Sequence, residues 1–474
     1  MRGATGSLLG GVLLLSACAA VEPYQKPALT APTDFAAPNR PSPGMNELWW
    51  LGFSEPQLNA LVEQALLVNR DIEAARQRLL AARASLRAER SDRRPSVDGY
   101  AEGGAEVEAG GSGGLTGVAG LSVLLDPDLS GRLSYEVQVA AAQAAAADYF
   151  VADTRRIVAA AVVDAFIELR RTQARLALLE ESTALQQQTL EIVSLRFEAG
   201  LSANLDVRRA AADLARTRAQ RGLLEISRAQ AANSLAILLN RPPRNTLANV
   251  EVQPEVPDYR GGPPIGLPAD LLRRRPDLLV AEADLLAAAA QVGAERADLR
   301  PRLTIPGSLV LGSGTLGGLV DEFLGTLVAA LDVPIFDGGR RRAEIAAARA
   351  ETDARYAEYR RSLLSALADV EGALVAADAY EDRIADLEQA INESQTAFDQ
   401  SNALYREGLA TLFDVLDAQR QLISSREALI DAEANLASAI VSLYASLGAP
   451  TTTPVAEAAG PPGITERDAA DGDG

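Results

Sequence analysis

The sequence predicts a mainly α-helical fold made by tandem duplication of long helical hairpins, with four β-strands per chain set into it as two hairpins. Three observations carry this. Ala, Leu, Glu, Arg and Gln dominate while aromatics make up only 4% of the 474 residues, a profile of long helices and not of a bulky globular interior. After Gly131 a helical pattern continues without Pro or Gly to Ala199, roughly 100 Å at 1.5 Å per residue, and no compact domain holds such a rod. The stretch Gly200-Leu201-Ser202-Ala203-Asn204-Leu205-Asp206-Val207 returns 208 residues later as Gly408-Leu409-Ala410-Thr411-Leu412-Phe413-Asp414-Val415, with Gly, Leu, Asp and Val at the same places. A repeat of that kind organises everything else in the chain.

Taken in order, Met1-Arg2-Gly3, the apolar run Leu8 to Leu15 and Leu15-Ser16-Ala17-Cys18 have the charged, apolar and small-residue regions of an export signal over residues 1–17. Cys18 is the only cysteine. Leu-Ser-Ala-Cys resembles the bacterial lipobox, in which the cysteine is lipid-modified. Residues 18–55 form a tether, Pro-rich over 19–46, that ends in Trp49-Trp50-Leu51-Gly52-Phe53-Ser54-Glu55. The two tryptophans read as packing anchors. A first repeat covers 56–242. It holds a short amphipathic helix with Leu58, Leu61, Ala65 and Leu66 on one face, then a helix from Arg70 to about Arg94. A hairpin follows at 97–126, with strands Val97 to Val107 and Leu115 to Leu125, then the long helix to Ala199 and a return helix to Leu239. Gly110 to Gly114 lacks the Lys-Ser/Thr of a phosphate loop and reads as the hairpin turn. A Pro-rich connector spans 243–267, the second repeat 268–448, and a Pro-, Gly- and Asp-rich tail 449–474.

The repeats align residue by residue. Ala88-Glu89-Arg90, Asp92 and Arg94-Pro95 match Ala294-Glu295-Arg296, Asp298 and Arg300-Pro301 at an offset of 206; Gly131-Arg132 match Gly339-Arg340 at 208. The change falls inside the second hairpin, 302–336, where strands are expected at Leu303 to Leu311 and Leu327 to Ile335. Strands of this length suit a tilted membrane crossing. Four strands cannot close a barrel alone, so a spanning sheet requires other copies of the chain; a periplasmic hairpin is the alternative. In the second long helix Tyr356, Tyr359, Leu363, Leu367, Val370, Leu374, Ala377, Tyr380, Ile384, Leu387, Ile391 and Phe398 form a coiled-coil seam.

The chain has no histidine, which removes imidazole bases and, with a single cysteine, Cys/His zinc sites and intrachain disulfides. The formal charge of −19 argues against nucleic acid as a partner; in a pore it would favour cations. No catalytic motif and no cofactor site is read.

The lipobox, Trp-Trp-x-Gly-Phe-x-Glu-Pro, the paired hairpins, the paired Gly-Leu…Asp-Val turns and Ile335-Phe336-Asp337-Gly338-Gly339-Arg340 together resemble the TolC-like outer-membrane efflux proteins, in their lipoprotein (NodT-type) branch. The resemblance covers about residues 15 to 450. It implies a homotrimer with a shared twelve-stranded barrel in the outer membrane and a trimeric α-barrel tunnel through the periplasm. It implies as partners an inner-membrane pump of RND type, a periplasmic adaptor and outer-membrane lipid. The reversals at Gly200 and Gly408 would lie at the tunnel's inner end. Asp414 and Asp417 match the family's aspartate ring, and Arg420 a basic residue near it. Read without the resemblance, Asp414 is a carboxylate at a helix N-terminus. Tyr405 and Asp206 stand where the family links neighbouring helices, while Ala410 replaces an arginine that makes a second link in some members.

The expectation is a passive export duct for drugs or other small toxic compounds. A lipid-anchored coiled-coil adaptor or scaffold is the alternative, and a carboxylate-pair hydrolase is disfavoured for want of a cleft-forming pattern.

Overall fold

The computed structural model of the chain describes residues 48–107, 113–243, 253, 255–260, 274–315 and 323–448. The signal segment 1–17, Cys18, most of the tether and connector, and the tail 449–474 lie outside the described residues.

A 3₁₀ turn, Trp49–Phe53, precedes helices α1 (Pro56–Val68) and α2 (Arg70–Ser91), strands β1 (Ser96–Val107) and β2 (Gly113–Leu125), and helix α3 (Arg132–Glu198). The return path is α4 (Asn204–Ala219) and α5 (Arg221–Leu238). The second repeat supplies α6 (Pro276–Ala297), β3 (Arg302–Thr315), β4 (Phe323–Leu327), β5 (Ala330–Asp332), α7 (Arg340–Arg406) and α8 (Leu412–Ser446). The helix limits repeat at the offsets of the sequence. Both ends of α2 and α6 differ by 206, both ends of α3 and α7 by 208, and the return path begins and ends 208 apart.

Residues 73–153 and 276–365 form one compact unit. Its sheet has the order β1-β2-β3-β4, with β5 also on β3, all antiparallel. The fourth strand differs from expectation: it begins at Phe323, is interrupted at Val328 and Ala329, and stops at Asp332. Leu303 pairs with Leu331 and Gly307 with Leu327, so one register runs through the gap. Val328 donates to the Pro306 carbonyl (2.9 Å), but Pro306 has no N–H to return, and the ladder lapses there. Pro334 ends it for the same reason.

The register also decides the faces. Val97, Gly99 and Ala101 on β1 share a face with Ala119, Leu121, Val123 and Leu125 on β2, Leu303, Ile305, Gly307 and Leu309 on β3, and Gly325, Leu327 and Leu331 on β4 and β5. That face has no polar side chain among these positions. The other face is mixed: Asp98, Glu102, Ser122, Arg302, Thr304, Ser308, Thr326 and Asp332 lie on it together with Tyr100, Leu124, Val310 and Leu324, so all the charged side chains at these positions fall on this face. Among the described residues β1 and the β4–β5 strand each pair on one side only, leaving both edges open. In the same unit, Gly293 on α6 admits the ring of Tyr135 on α3, whose nearest atom would lie 2.2 Å from an added Cβ.

Residues 32–72, 154–275 and 366–474 form the second unit, whose described part has its core around the tryptophans. Trp49, Trp50 and Phe53 pack with Leu58, Val62 and Ile72 against Val162, Phe166 and Leu169 of α3, Leu235 of α5 and Val441 of α8. Buried Asn69 ties the start of α2 to the end of α5. Its side-chain oxygen accepts from the N–H of Asp71 and Ile72, and its amide donates to Leu238 O (3.0 Å). The return path of the first repeat breaks at Gln220, where a single expected helix becomes two. The break bonds in i→i+3 fashion, Gln220 N–H to Thr217 O and Leu223 N–H to Gln220 O. Gly222 lowers the helix propensity there, whereas the equivalent residues of the second repeat are Ala428 and Ile430, and α8 is unbroken. The seam of α7 is buried at Tyr359, Leu363, Val370, Leu374, Ala377 and Phe398.

Candidate functional site

The two reversals lie in the second unit and are built alike. Gly200 and Gly408 take left-handed φ values of 73° and 78°, a conformation that costs residues bearing a Cβ about 1 kcal/mol or more. Each terminates its long helix in a Schellman motif: Gly200 N–H bonds Phe197 O and Leu201 N–H bonds Arg196 O, as Gly408 does to Tyr405 and Leu409 to Leu404.

They differ one step later. Thr411 is the N-cap of α8 and forms a reciprocal capping box. The Asp414 N–H donates to the Thr411 hydroxyl, and the Asp414 carboxylate accepts from the Thr411 N–H (2.9 Å) and hydroxyl (2.7 Å). These bonds, that of the Thr411 side chain first, hold the Asp414 carboxyl below its ordinary range, so it is charged at neutral pH. Ala203 occupies the equivalent position in the first copy and cannot cap. There Asp206 accepts from the Ser202 hydroxyl (3.1 Å) and lies 4.0 Å from Arg209.

Asp414 and Asp417, one helical turn apart, are both exposed on one face of α8. Arg420 is exposed beside them, 3.9 Å from Asp417, and its Nε donates to Leu416 O (3.1 Å). The opposite face, with Leu412, Val415, Leu416 and Gln419, is buried against Val193, Phe398 and Tyr405. The carboxylates are therefore presented outward by a helix whose other side is fixed in a core.

Within the single chain no hydrogen bond joins Tyr405 to Asp206. Ser202 and Arg209 occupy Asp206. The Tyr405 ring is buried, and its hydroxyl has no partner among the described residues. What does join the two reversals is Arg196, which the sequence reading missed. Its guanidinium lies over the Tyr405 ring, 4.8 Å from the centroid, and donates to Tyr405 O and Arg406 O, both at 3.2 Å. From the end of α3 it thus adds a charged donor to the last carbonyls of α7, Tyr405 O already accepting from the Gly408 N–H. A basic residue in the last turn of a long helix was the available signal, but its target on another helix was not. Farther from the turns, Arg426 of α8 joins Glu181 of α3 (2.7 Å) and Gln395 of α7 (3.0 Å), and Arg175 pairs with Asp431.

A family model described as outer membrane efflux protein matches residues 61–241 and 267–449. The pyoverdine export outer membrane protein OpmQ of Pseudomonas aeruginosa is 30% identical over 462 residues, 93% of this chain and 96% of that one. Nodulation protein T of Rhizobium leguminosarum bv. trifolii is 29% identical, covering 94% and 97%. Among solved structures the outer-membrane channel OprN superposes with a TM-score of 0.80 at 31% identity, covering 90% of this chain and 99% of that one.

Proposed function

Because the chain belongs to the outer membrane efflux protein family and is the outer-membrane channel of a tripartite efflux system, we propose that it works as a homotrimer whose periplasmic entrance is an acidic constriction made by Asp414 and Asp417. The observation that carries the duct reading over the scaffold reading is the sheet. One face is apolar, the other carries the charged side chains Asp98, Glu102, Arg302 and Asp332, and both edges are open among the described residues. Such a sheet is unstable in lipid until other copies cover its edges, and closure puts the charged face on the lumen. A periplasmic scaffold has no use for it. Three copies give the twelve strands that the resemblance implies.

At the other end, three copies of α8 would present Asp414 and Asp417 around one opening. Low-dielectric walls focus their field, favouring cations and retarding anions, with Arg420 trimming the charge of Asp417. An inner-membrane pump of RND type and a periplasmic adaptor supply the opening energy. Drugs or small toxic compounds are the proposed cargo, and Cys18 the lipid anchor in the outer membrane.

Conductance of the purified protein in a planar bilayer tests this. Cation-preferring current that rises when Asp414 and Asp417 are replaced by Ala supports the reading. A monomeric protein without current, or unchanged current and ion preference in the double variant, overturns it.

A further inference from the structure

We propose that the end of the sheet that joins the helices carries a collar of arginines, Arg93, Arg94 and Arg342 foremost, that binds the headgroups of anionic glycerophospholipid in the membrane leaflet facing the periplasm. The inference rests on the membrane-channel reading and adds a lipid preference to it.

The distribution of basic residues is one-sided. None occurs in 95–131 or in 303–339, the stretches that hold β1, β2, β4, β5 and all of β3 but its first residue. They stand instead where strands meet helices: Arg93 and Arg94 before β1, Arg132 after β2, Arg300 before β3, and Arg340 to Arg342 after β5. The register puts all four connections at one end of the sheet, since Ser96 faces Leu124, Leu125 faces Ile305 and Arg302 faces Asp332. Over the connecting segments 92–94, 126–132, 298–302 and 337–342, eight arginines meet five aspartates, a balance of +3 in a chain whose total is −19. A basic band that ends an apolar face fits headgroups, because the arginine stem lies along hydrocarbon while the guanidinium reaches phosphate.

Part of this charge is already paired within the chain. Arg302 binds Asp126 (2.9 Å), Arg341 binds Asp337 (3.3 Å) and Arg132 binds Glu136 (2.5 Å). Arg93, Arg94 and Arg342 are exposed, and their side chains have no partner among the described residues. The Arg340–Glu344 pair is a surface pair with the arginine side chain 62% exposed, which holds it only weakly.

Two further observations point outward from the chain. Three consecutive arginines open α7, whose first turn has no acidic residue, and positive charge there opposes the helix dipole. Asp337 accepts from the N–H of Gly339 and Arg341 and offsets one of the three. Helix stability therefore does not account for the run, and a local rule broken in this way marks a functional position. Apolar side chains are also bare at this level. Gly338 and Gly339, with φ of 67° and 92°, turn the chain from β5 into α7 directly after Ile335 and Phe336, which are 95% and 91% exposed. Leu299, one residue before Arg300, is 47% exposed. Bare apolar groups interleaved with free guanidinium groups match the boundary between hydrocarbon and headgroup. The positive balance selects a headgroup of net charge −1 over one whose amine cancels its phosphate.

The test reconstitutes full-length protein in phosphatidylcholine bilayers with chain-spin-labelled phosphatidylglycerol or phosphatidylcholine as probe. Electron spin resonance then reads how much of each probe the protein immobilises. The wild type should hold phosphatidylglycerol roughly threefold more strongly, and raising salt from about 0.05 to about 0.5 M should remove most of that preference. Arg93→Gln, Arg94→Gln and Arg342→Gln together should bring the ratio close to one while the total of immobilised lipid, set by the apolar face, is kept. The same three positions changed to Lys should retain most of the preference. No preference in the wild type, an equal preference in the Gln variant, or a loss as complete with Lys as with Gln overturns the collar and leaves the spanning sheet standing. Inorganic phosphate that abolishes the preference, where chloride at matched ionic strength does not, overturns lipid as the source and assigns the arginines to free phosphate. Absence of any immobilised lipid in the wild type overturns the membrane-channel reading itself.

Discussion

Thr411 and Asp414 cap one another: each accepts a hydrogen bond from the other's backbone N–H, and the Thr411 hydroxyl also donates to the Asp414 carboxylate. One carboxylate therefore stabilises a helix start and, in the proposed entrance, supplies charge. The roles separate by substitution. Thr411→Ala should cost about 1 kcal/mol in stability, the usual loss for an N-cap, and leave cation preference intact. Asp414→Asn keeps an acceptor for the Thr411 N–H but removes the charge, so it should change ion preference. Chemical denaturation and reversal potentials, measured on both variants, check the separation; the reverse pattern would refute it.

Arg196 holds the end of α7 through the carbonyls of Tyr405 and Arg406 and the face of the Tyr405 ring. Arg196→Gln should loosen the second reversal and raise conductance severalfold, with little effect on the core around Trp49 and Trp50. A lysine would restore charge but not the forked donation, so Arg196→Lys should reverse only part of that rise. Full recovery by lysine in single-channel recordings would show that charge alone matters.

Asp164 on α3 is pushed up to about 6 by burial, against a smaller lowering from its bond with Ser438 on α8. A carboxyl whose folded value is raised contributes stability below its unfolded value near 4 and loses it as pH climbs through 6. Unfolding temperature should therefore rise as pH falls from 7 to 5. Asp164→Asn, a neutral shape-mimic, should be more stable at pH 7 by about 1–3 kcal/mol and flatten that slope. Thermal melts of both proteins across this range decide it.

Gly293 leaves room for the Tyr135 ring where α6 meets α3. Gly293→Ala should cost about 1–3 kcal/mol by overpacking, although alanine is the better helix former. Adding Tyr135→Ala should recover part of that loss in a double-mutant cycle, and simple additivity would exclude the contact as its cause.

Much of the fold was legible because duplication leaves a record that does not depend on contacts. The matched glycines of the two reversals, the Pro-free run from Arg132 and the seam from Tyr359 to Phe398 announce themselves through local rules of helix ending and period. The tryptophans could be read as anchors from their size, but not the stacking of Trp49 on Tyr444, 5.3 Å between centroids, since the partner is nearly four hundred residues away.

What the sequence by itself determined is thus the repeat, the long helices with their reversals though not the break at Gln220, and the family resemblance with its carboxylates at Asp414 and Asp417. Tertiary structure decided the rest. It joined β2 to β3 and so gathered the sheet's charged side chains on one face; it broke the fourth strand opposite Pro306; it gave Asp206 to Ser202 and Arg196 to Tyr405. The physical reason is common to all of these. Helix geometry is written within four residues of each position, whereas strand register, ring stacking and the choice of a charged group's partner depend on residues that only the folded chain brings together.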